Sequence, residues 1–177
     1  LCLVCDALYL CKSNEINVYL ILKIHLLQHF SCLSRCLFLL RHCGEYKVRF
    51  DQAGLMLRID EENYIKTGIE YVDGKYNLSA VVTHKTSDWS VITLDKPVDY
   101  IWIKAVRRLD AVEIFYSFDD KEYVMMRNCW LQDNTPVMVG MMAACPDGNG
   151  FKATFEGFRI THLPDQRRLE WLRNNQE

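Results

Sequence analysis

Five polar or aromatic residues in the first half of the chain could form a ligand site if they share one face of a β-sheet. They are Arg58, Lys66, Glu70, Asn77 and Trp89. Planar polar side chains can bind the hydroxyl groups of a sugar, and an indole ring can stack on its apolar face. The set is therefore typical of a carbohydrate-binding surface. It is equally consistent with a solvated outer face on which Gly54 and Gly68 permit sheet curvature.

The dipeptide Asp73-Gly74 predicts which of these residues face the same way. It suits a two-residue type I′ hairpin loop, in which both central residues need positive φ. With this loop, Ile69 lies opposite Leu78 on the core face, and Glu70 lies opposite Asn77 on the other face. The second face is therefore predicted to be polar.

Lys66 falls opposite Val81 on the polar face, and we expect Arg58 of the preceding strand to lie roughly opposite Lys66. Two like charges in this position are unfavourable unless an acid, an anion or solvent relieves them. Glu70 is a candidate for that acid.

Hydrolysis of a glycosidic bond would need two carboxylates on one face. Glu70 could supply one. Asp60, Glu61 and Glu62 are interpreted as turn residues, and Glu113 has no predicted position on that face. We therefore predict no catalytic residue.

A Cys-x-x-C pair at Cys2 and Cys5 has the spacing of a zinc or redox motif, and Cys32, Cys36, His42 and Cys43 could notionally complete a site. The Leu-Val spacer lacks the turn-forming residues that such motifs favour, and buried free thiols are common in apolar segments. The chain has neither a phosphate-binding glycine loop nor a dinucleotide fingerprint. No metal site and no cofactor are predicted.

From Glu45 onward, short runs rich in Val, Ile, Tyr, Phe and Thr alternate with turn residues, which predicts an all-β fold. No helix-length segment separates the runs, so the sheets should be antiparallel. The predicted strands lie near 45–50, 54–60, 64–72, 76–84, 88–94, 99–107, 111–118, 123–131, 136–144 and 151–161.

The predicted strands divide the chain into three segments. Residues 1–43 are rich in Leu, Ile, Cys and His and are predicted to be helical, as either a foreign segment or a structural part of the domain. Residues 44–162 form the β-sandwich domain. Residues 163–177 are predicted to form a short C-terminal helix.

Composition and charge narrow the classes of partner and the location. A net charge of -2 gives no basic surface for nucleic acid or an anionic membrane. Charged and polar residues interrupt the apolar stretch from Val18 to Leu40, which argues against a membrane span. Most of the cysteines fall in residues 1–43, unlike an evenly spread disulfide framework, so free thiols and a cytoplasmic location are expected.

Several ordered blocks between Tyr46 and Ile160 resemble the uncharacterised domain family that includes the regulation-of-enolase protein. The main blocks are Asp51–Met56, Asp60–Asn63, Gly68–Gly74, Ser87–Val91, Trp102–Lys104 and Val137–Gly140. The resemblance implies a concanavalin A-like jelly-roll sandwich, mostly intracellular, with no established catalytic residues. Family members would be expected to open with aromatic-rich strands. Residues 1–43 do not match this pattern, so the sandwich is expected to lack its first strands.

Three functional hypotheses follow. The preferred one is a non-catalytic binding module that holds carbohydrate on a concave sheet face. The second is an intracellular protein-interaction or regulatory module acting on a metabolic enzyme, which should expose an apolar patch. The third is a glycoside hydrolase-like enzyme, which should show two close acids.

Overall fold

The described part of the chain consists of β-strands and their connections. The computed structural model describes residues 7–12, 15–20, 25–26, 30–32 and 35–164, and it describes side chains for residues 35–164. The strands are β1 (Ala7–Lys12), β2 (Glu15–Leu20), β3 (His25–Leu26), β4 (Phe30–Cys32), β5 (Arg35–Gly44), β6 (Gln52–Arg58), β7 (Asn63–Val72), β8 (Lys75–His84), β9 (Thr86–Thr93), β10 (Ile101–Arg108), β11 (Ala111–Ser117), β12 (Val124–Trp130), β13 (Val137–Ala144) and β14 (Lys152–His162).

These strands form two sheets, and all the pairs between described strands are antiparallel. The first sheet has the order β1-β2-β14-β5-β10-β11-β12. The second has the order β3-β13-β6-β7-β8-β9, and β4 also pairs with β13. Apolar side chains from the inner faces of both sheets make one core, which includes Phe38, Leu40, Leu55, Leu57, Ile65, Ile69, Leu78, Ile101, Ile103 and Phe155. The prediction of an all-β antiparallel sandwich is confirmed, and its assignment to the concanavalin A-like class stays a prediction.

The β7–β8 hairpin confirms the predicted register. Asp73 and Gly74 have φ angles of 51° and 79°, as a type I′ loop requires. Ile69 lies opposite Leu78, and Glu70 lies opposite Asn77. The loop chemistry therefore determines which face of the second sheet carries the predicted polar residues.

The predicted strand at 45–50 is wrong. Both Lys47 and Val48 donate their backbone N–H groups to the Asp51 carboxylate, at 2.8 and 2.9 Å. Phe50 has a φ of 65°, which a strand does not allow. A side-chain acceptor thus folds this segment into a turn that leads into β6.

The helical prediction for residues 1–43 is also wrong over its described residues, which lie in strands. In β5 the side chains of Cys36, Phe38, Leu40 and His42 point into the core and are buried. The alternation has a period of two, but leucines also occupy the outward positions and obscure it. Helix-favouring leucines adopt a strand here because the surrounding sheets bury them.

The position of β5 corrects the expectation that the sandwich lacks its first strands. β5 lies in the middle of the first sheet and pairs with β10 on one side and β14 on the other. At least residues 35–44 therefore belong to the sandwich, although we predicted the domain to begin at 44. The predicted C-terminal helix lies almost entirely outside the described residues.

The cysteines agree only in part with the expectation of free thiols. Cys43, Cys129 and Cys145 are free. Burial raises the pKa of the Cys129 thiol to about 11, so this thiol is protonated and unreactive at neutral pH. Cys36 is disulfide-bonded, which contradicts the expectation at that position.

One buried cation joins the turn after β10 to the connection between β12 and β13. The Arg107 side chain is fully buried and donates hydrogen bonds to the carbonyl oxygens of Leu109, Gln132 and Thr135, at 3.0, 2.8 and 3.1 Å. Backbone acceptors thus satisfy a buried charge that would otherwise be costly.

Candidate functional site

The outer face of the second sheet carries a connected set of polar side chains. Trp89 Nε1 donates to one Glu70 carboxylate oxygen at 2.9 Å, and Gln52 Nε2 donates to the other at 3.5 Å. Lys66 Nζ donates to the Gln52 side-chain oxygen at 2.6 Å. The Glu70 and Gln52 side chains are buried, whereas Trp89 is 49% exposed. Three of the five predicted site residues, Lys66, Glu70 and Trp89, are therefore linked. Glu70 contacts Trp89 directly and Lys66 through Gln52.

Two facing glycines make these long contacts possible. Gly54 lies directly opposite Gly68, between the row that holds Lys66 and the row that holds Gln52 and Glu70. A Cβ on Gly54 would lie 2.0 Å from the Thr67 carbonyl oxygen. Because these two positions have no side chain, Lys66 can extend across them. The glycines thus let the two strands approach closely and also leave space for the Lys66 side chain.

Asn77 is opposite Glu70, and its amide donates to the Glu70 backbone carbonyl oxygen at 3.5 Å. Its amide donates to the Lys75 carbonyl oxygen at 3.2 Å, and Thr93 Oγ1 donates to its side-chain oxygen at 2.8 Å. Asn77 is therefore held by the hairpin and by β9.

Arg58 does not join the set. It lies opposite Tyr64, and Met56 lies opposite Lys66. The predicted pairing of Arg58 with Lys66 is therefore wrong, and Arg58 is displaced from Lys66 by two residues along the strand. Arg58 is 3.9 Å from the Glu61 carboxylate. It lines an open depression of about 430 Å³ together with Ile59, Asp60, Glu61 and Glu62.

Gln52 belongs to this set but was not predicted, although the alternation of β6 carries the signal for it. The predicted strand near 54–60 begins two residues after Gln52, so the same alternation extended backward by one step reaches Gln52. The observed register places it opposite Glu70. Its amide can donate to one neighbour and accept from another, so it links Glu70 to Lys66.

A second candidate surface lies where the free edges of the two sheets meet. β9 ends the second sheet and β12 ends the first. We call this surface the β9–β12 edge. Its large apolar side chains are 37–53% exposed: Trp89 and Val91 on the outer face of the second sheet, Ile92 on the other side of β9, and Val124, Met125 and Trp130 on β12.

Polar contacts hold the two strands of this edge together. Arg127 of β12 donates to the Asp88 carboxylate at 2.6 Å and also to the Ser90 hydroxyl, both in β9. The Arg127 guanidinium lowers the pKa of Asp88. The His84 ring packs against the Trp130 ring at a tilt of 55°, with ring centroids 4.9 Å apart. The apolar side chains are therefore presented on a fixed edge.

The described residues offer little for catalysis. Gln52 and Asn77 flank Glu70 on its face, and neither is an acid. Glu113 belongs to the first sheet and lies 3.5 Å from Arg108. Over the described residues, no group of three or more His, Cys, Asp or Glu side chains is placed to hold a metal ion. Nor does that part contain a helix long and apolar enough to cross a membrane.

Comparison with known proteins identifies relatives of the chain. "Regulation of enolase protein 1" from Saccharomyces cerevisiae is 34% identical over 118 residues, which cover 67% of this chain and 60% of the relative. An uncharacterised protein, AN7484, from Emericella nidulans is 26% identical and is matched over 58% of its length. The chain thus spans about 60% of the length of these curated relatives.

Solved structures show the same fold. A functionally unknown protein from S. cerevisiae superposes with a TM-score of 0.81 at 25% identity, over 89% of this chain and 92% of that one. The glycoside hydrolase family 43 protein BlXynB from Bacillus licheniformis superposes with a TM-score of 0.71 at 14% identity, over 84% of this chain and 33% of that one. The second likeness concerns the fold alone.

The family assignment rests on most of the chain and agrees with the resemblance drawn from the sequence blocks. A match to the family described as "Protein of unknown function (DUF1349)" runs from residue 28 to residue 163, and it includes the β5 strand, most of which was predicted to lie outside the β-sandwich domain. The chain belongs to this DUF1349 family.

Proposed function

We propose that the chain is a non-catalytic regulatory module that binds enolase through the β9–β12 edge. The observation that carries this proposal is the set of exposed apolar side chains on two adjoining edge strands. The name of the yeast relative supplies the regulatory role and the target. The proposal therefore joins a surface of this chain to the printed name of a protein 34% identical to it.

The composition of the β9–β12 edge supports protein binding. Tryptophan is enriched among the residues that dominate binding energy at protein interfaces. Trp89 and Trp130 are 49% and 53% exposed, and the charges in the middle of the edge, Arg127 and Asp88, are already paired with each other. A partner can cover this edge without leaving an unpaired charge.

The hydrogen bonds on the outer face of the second sheet weaken the case for sugar binding by the predicted polar residues. Glu70 accepts from Trp89 and from Gln52, and Lys66 donates to Gln52. Glu70 and Gln52 are buried, so a sugar hydroxyl has little access to the hydrogen-bonding positions that these contacts leave unused. This face therefore lacks an accessible, oriented polar group for each hydroxyl of a sugar.

The test is a direct binding measurement between the purified full chain and the enolase of the same organism. Val91→Glu and Val124→Glu each place one carboxylate among the exposed apolar side chains. Each should weaken binding at least about tenfold, because a charge must lose its water when the partner covers it. Surface plasmon resonance would give the dissociation constants.

Thr161→Glu is the matched control, since it adds the same charge at an exposed position of β14. It should bind like the unaltered chain. The proposal is wrong if the unaltered chain does not bind enolase, or if Val91→Glu and Val124→Glu bind as tightly as Thr161→Glu.

Carbohydrate binding on the outer face of the second sheet is the second candidate, with Arg58, Lys66, Glu70, Asn77 and Trp89 as the proposed ligand residues. It is favoured by the half-exposed indole of Trp89, which Glu70 holds in place. A thermal melt with a panel of mono- and oligosaccharides tests it, because a ligand selective for the folded chain raises Tm. A shift that Trp89→Ala abolishes would support this candidate. If no sugar raises Tm, the sugars of the panel are excluded as ligands.

A cytoplasmic location is part of the main proposal. The free thiols of Cys43, Cys129 and Cys145 are consistent with a reducing compartment. The disulfide at Cys36 argues the other way. Fractionation of the cell, followed by detection of the chain beside enolase, tests this location.

A further inference from the structure

The outer face of the first sheet carries a row of aromatic and cationic side chains that neither candidate function uses. Trp102 and Lys104 point outward from β10. Arg41 lies opposite Trp102 on β5, and Phe115 lies opposite Lys104 on β11. Tyr123 precedes β12 and also contacts Lys104.

The two cations of this row differ in their partners. The Arg41 guanidinium pairs with the Glu156 carboxylate and lies 3.7 Å from the centroid of the Tyr100 ring. The Lys104 ammonium lies 3.7 Å from the Tyr123 ring centroid and 4.7 Å from that of Phe115. Among the described residues, no carboxylate lies within 4.0 Å of Lys104, and no side-chain or backbone acceptor bonds to it. Arg41 is thus neutralised, whereas Lys104 is not.

The ammonium of Lys104 is partly withdrawn from water by the two rings. Burial lowers the pKa of Lys104, and the charge of Asp120 opposes this effect. Asp120 is itself engaged, because the Tyr123 hydroxyl donates to it and Arg159 lies 3.9 Å away. An ammonium carries three N–H donors and no acceptor. Lys104 therefore has charge and hydrogen-bonding capacity that the described residues do not use.

The neighbouring indole gives the row a second property. Trp102 lies two residues before Lys104 on the same face of β10, and its ring lies against Gly157, where a Cβ would be 3.5 Å from it. Gly157 has a φ of 60° and falls in the irregular part of β14, between Glu156 and Arg159. The ring is half-buried and therefore retains surface for an apolar contact.

We propose that Lys104 is the centre of a binding site for a small molecule that carries an oxyanion, either a carboxylate or a phosphate group. The ammonium binds the oxyanion through charge-assisted hydrogen bonds. Trp102, two residues before Lys104 on the same face of β10, is a neighbouring aromatic side chain that reports on this face. The rings of Phe115 and Tyr123 hold the ammonium in place, so less conformational entropy is lost when the anion binds. This site lies on the opposite sheet from Glu70 and does not depend on the proposed function.

The experiment is a nuclear magnetic resonance titration of the ¹⁵N-labelled full chain with inorganic phosphate and, separately, with acetate. Sodium chloride at matched ionic strength is the reference. The Trp102 indole signal and the backbone amides of residues 103–105 should shift and saturate with at least one of the two probes. Saturation with phosphate alone would indicate phosphate esters as ligands, and saturation with acetate alone would indicate carboxylates.

Lys104→Met keeps most of the length of the side chain but removes the ammonium. It should weaken binding at least about tenfold, which corresponds to the loss of one charge-assisted hydrogen bond. Lys75→Met, at the exposed end of the β7–β8 hairpin, is the control and should bind like the unaltered chain. Backbone amide spectra of both variants check the fold. The proposal is overturned if neither probe gives a saturable shift beyond that of chloride, or if Lys104→Met retains the response.

Discussion

Burial of one histidine in the core should make the stability of the chain depend on pH. His42 of β5 is fully buried, and burial lowers its pKa from 6.5 to about 3. Its ring lies 6.2 Å from that of Phe155, and its Nδ1 is 3.5 Å from the Tyr46 hydroxyl. Burial also keeps the pKa of Tyr46 well above its usual value, so this neighbour stays neutral. The folded chain therefore holds a neutral imidazole over the range in which the unfolded chain takes up a proton.

The sign and size of the effect follow from this difference. The folded-state pKa lies below the unfolded value of 6.5, so the contribution to stability is complete above pH 6.5. It is lost as the pH falls from 6.5 toward 3. Between about pH 7 and pH 5 the unfolded chain gains about 0.7 of a proton at His42, and the free energy of unfolding falls by about 2 kcal/mol.

Urea unfolding at a series of pH values measures this change. His42→Leu should flatten the profile by about 2 kcal/mol over the same interval, because leucine carries no proton in either state. His162→Leu, at an exposed histidine near the end of β14, is the control for the loss of an imidazole outside the core. The reasoning fails if the free energies of unfolding of His42→Leu and of the unaltered chain change by the same amount between pH 7 and pH 5, within the precision of urea unfolding.

Three further substitutions test the packing of the fold and of the outer face. Gly54→Ala should lower the free energy of unfolding by about 1–3 kcal/mol in a urea titration, because the new Cβ would meet the Thr67 carbonyl oxygen at 2.0 Å. Arg107→Met should cost at least about 3 kcal/mol, since it leaves buried carbonyl oxygens without a donor, and a Tm close to that of the unaltered chain would contradict this. Glu70→Ala should release the Trp89 indole and lower its fluorescence anisotropy; an unchanged anisotropy would show that the Glu70 contact does not hold the ring.

Local sequence signals predict the hairpin and most strands of the second sheet. The Asp73-Gly74 loop and the alternation on either side of it determine the register, and both act over a few residues. The same alternation could have placed Gln52 beside Glu70. Arg58 was misplaced because its partner depends on the turn between β6 and β7, where no short loop motif fixes the register.

The sequence alone could not predict β5 as a central strand or the position of the β9–β12 edge. Leucines on both faces of β5 hide its period, and its neighbours β10 and β14 are distant along the chain. Which strands end the sheets depends on the strand order, which non-local pairing decides. Trp89 was predicted to lie on the outer face, where it does lie, but its exposure results from the edge position of β9.

Hydrogen–deuterium exchange with and without enolase tests the central proposal most directly. If enolase covers the β9–β12 edge, exchange should slow in Thr86–Thr93 and Val124–Trp130, while Lys75 and the rest of the β7–β8 turn keep their rates. Slower exchange confined to the outer face of the first sheet, or no change anywhere, would contradict the account.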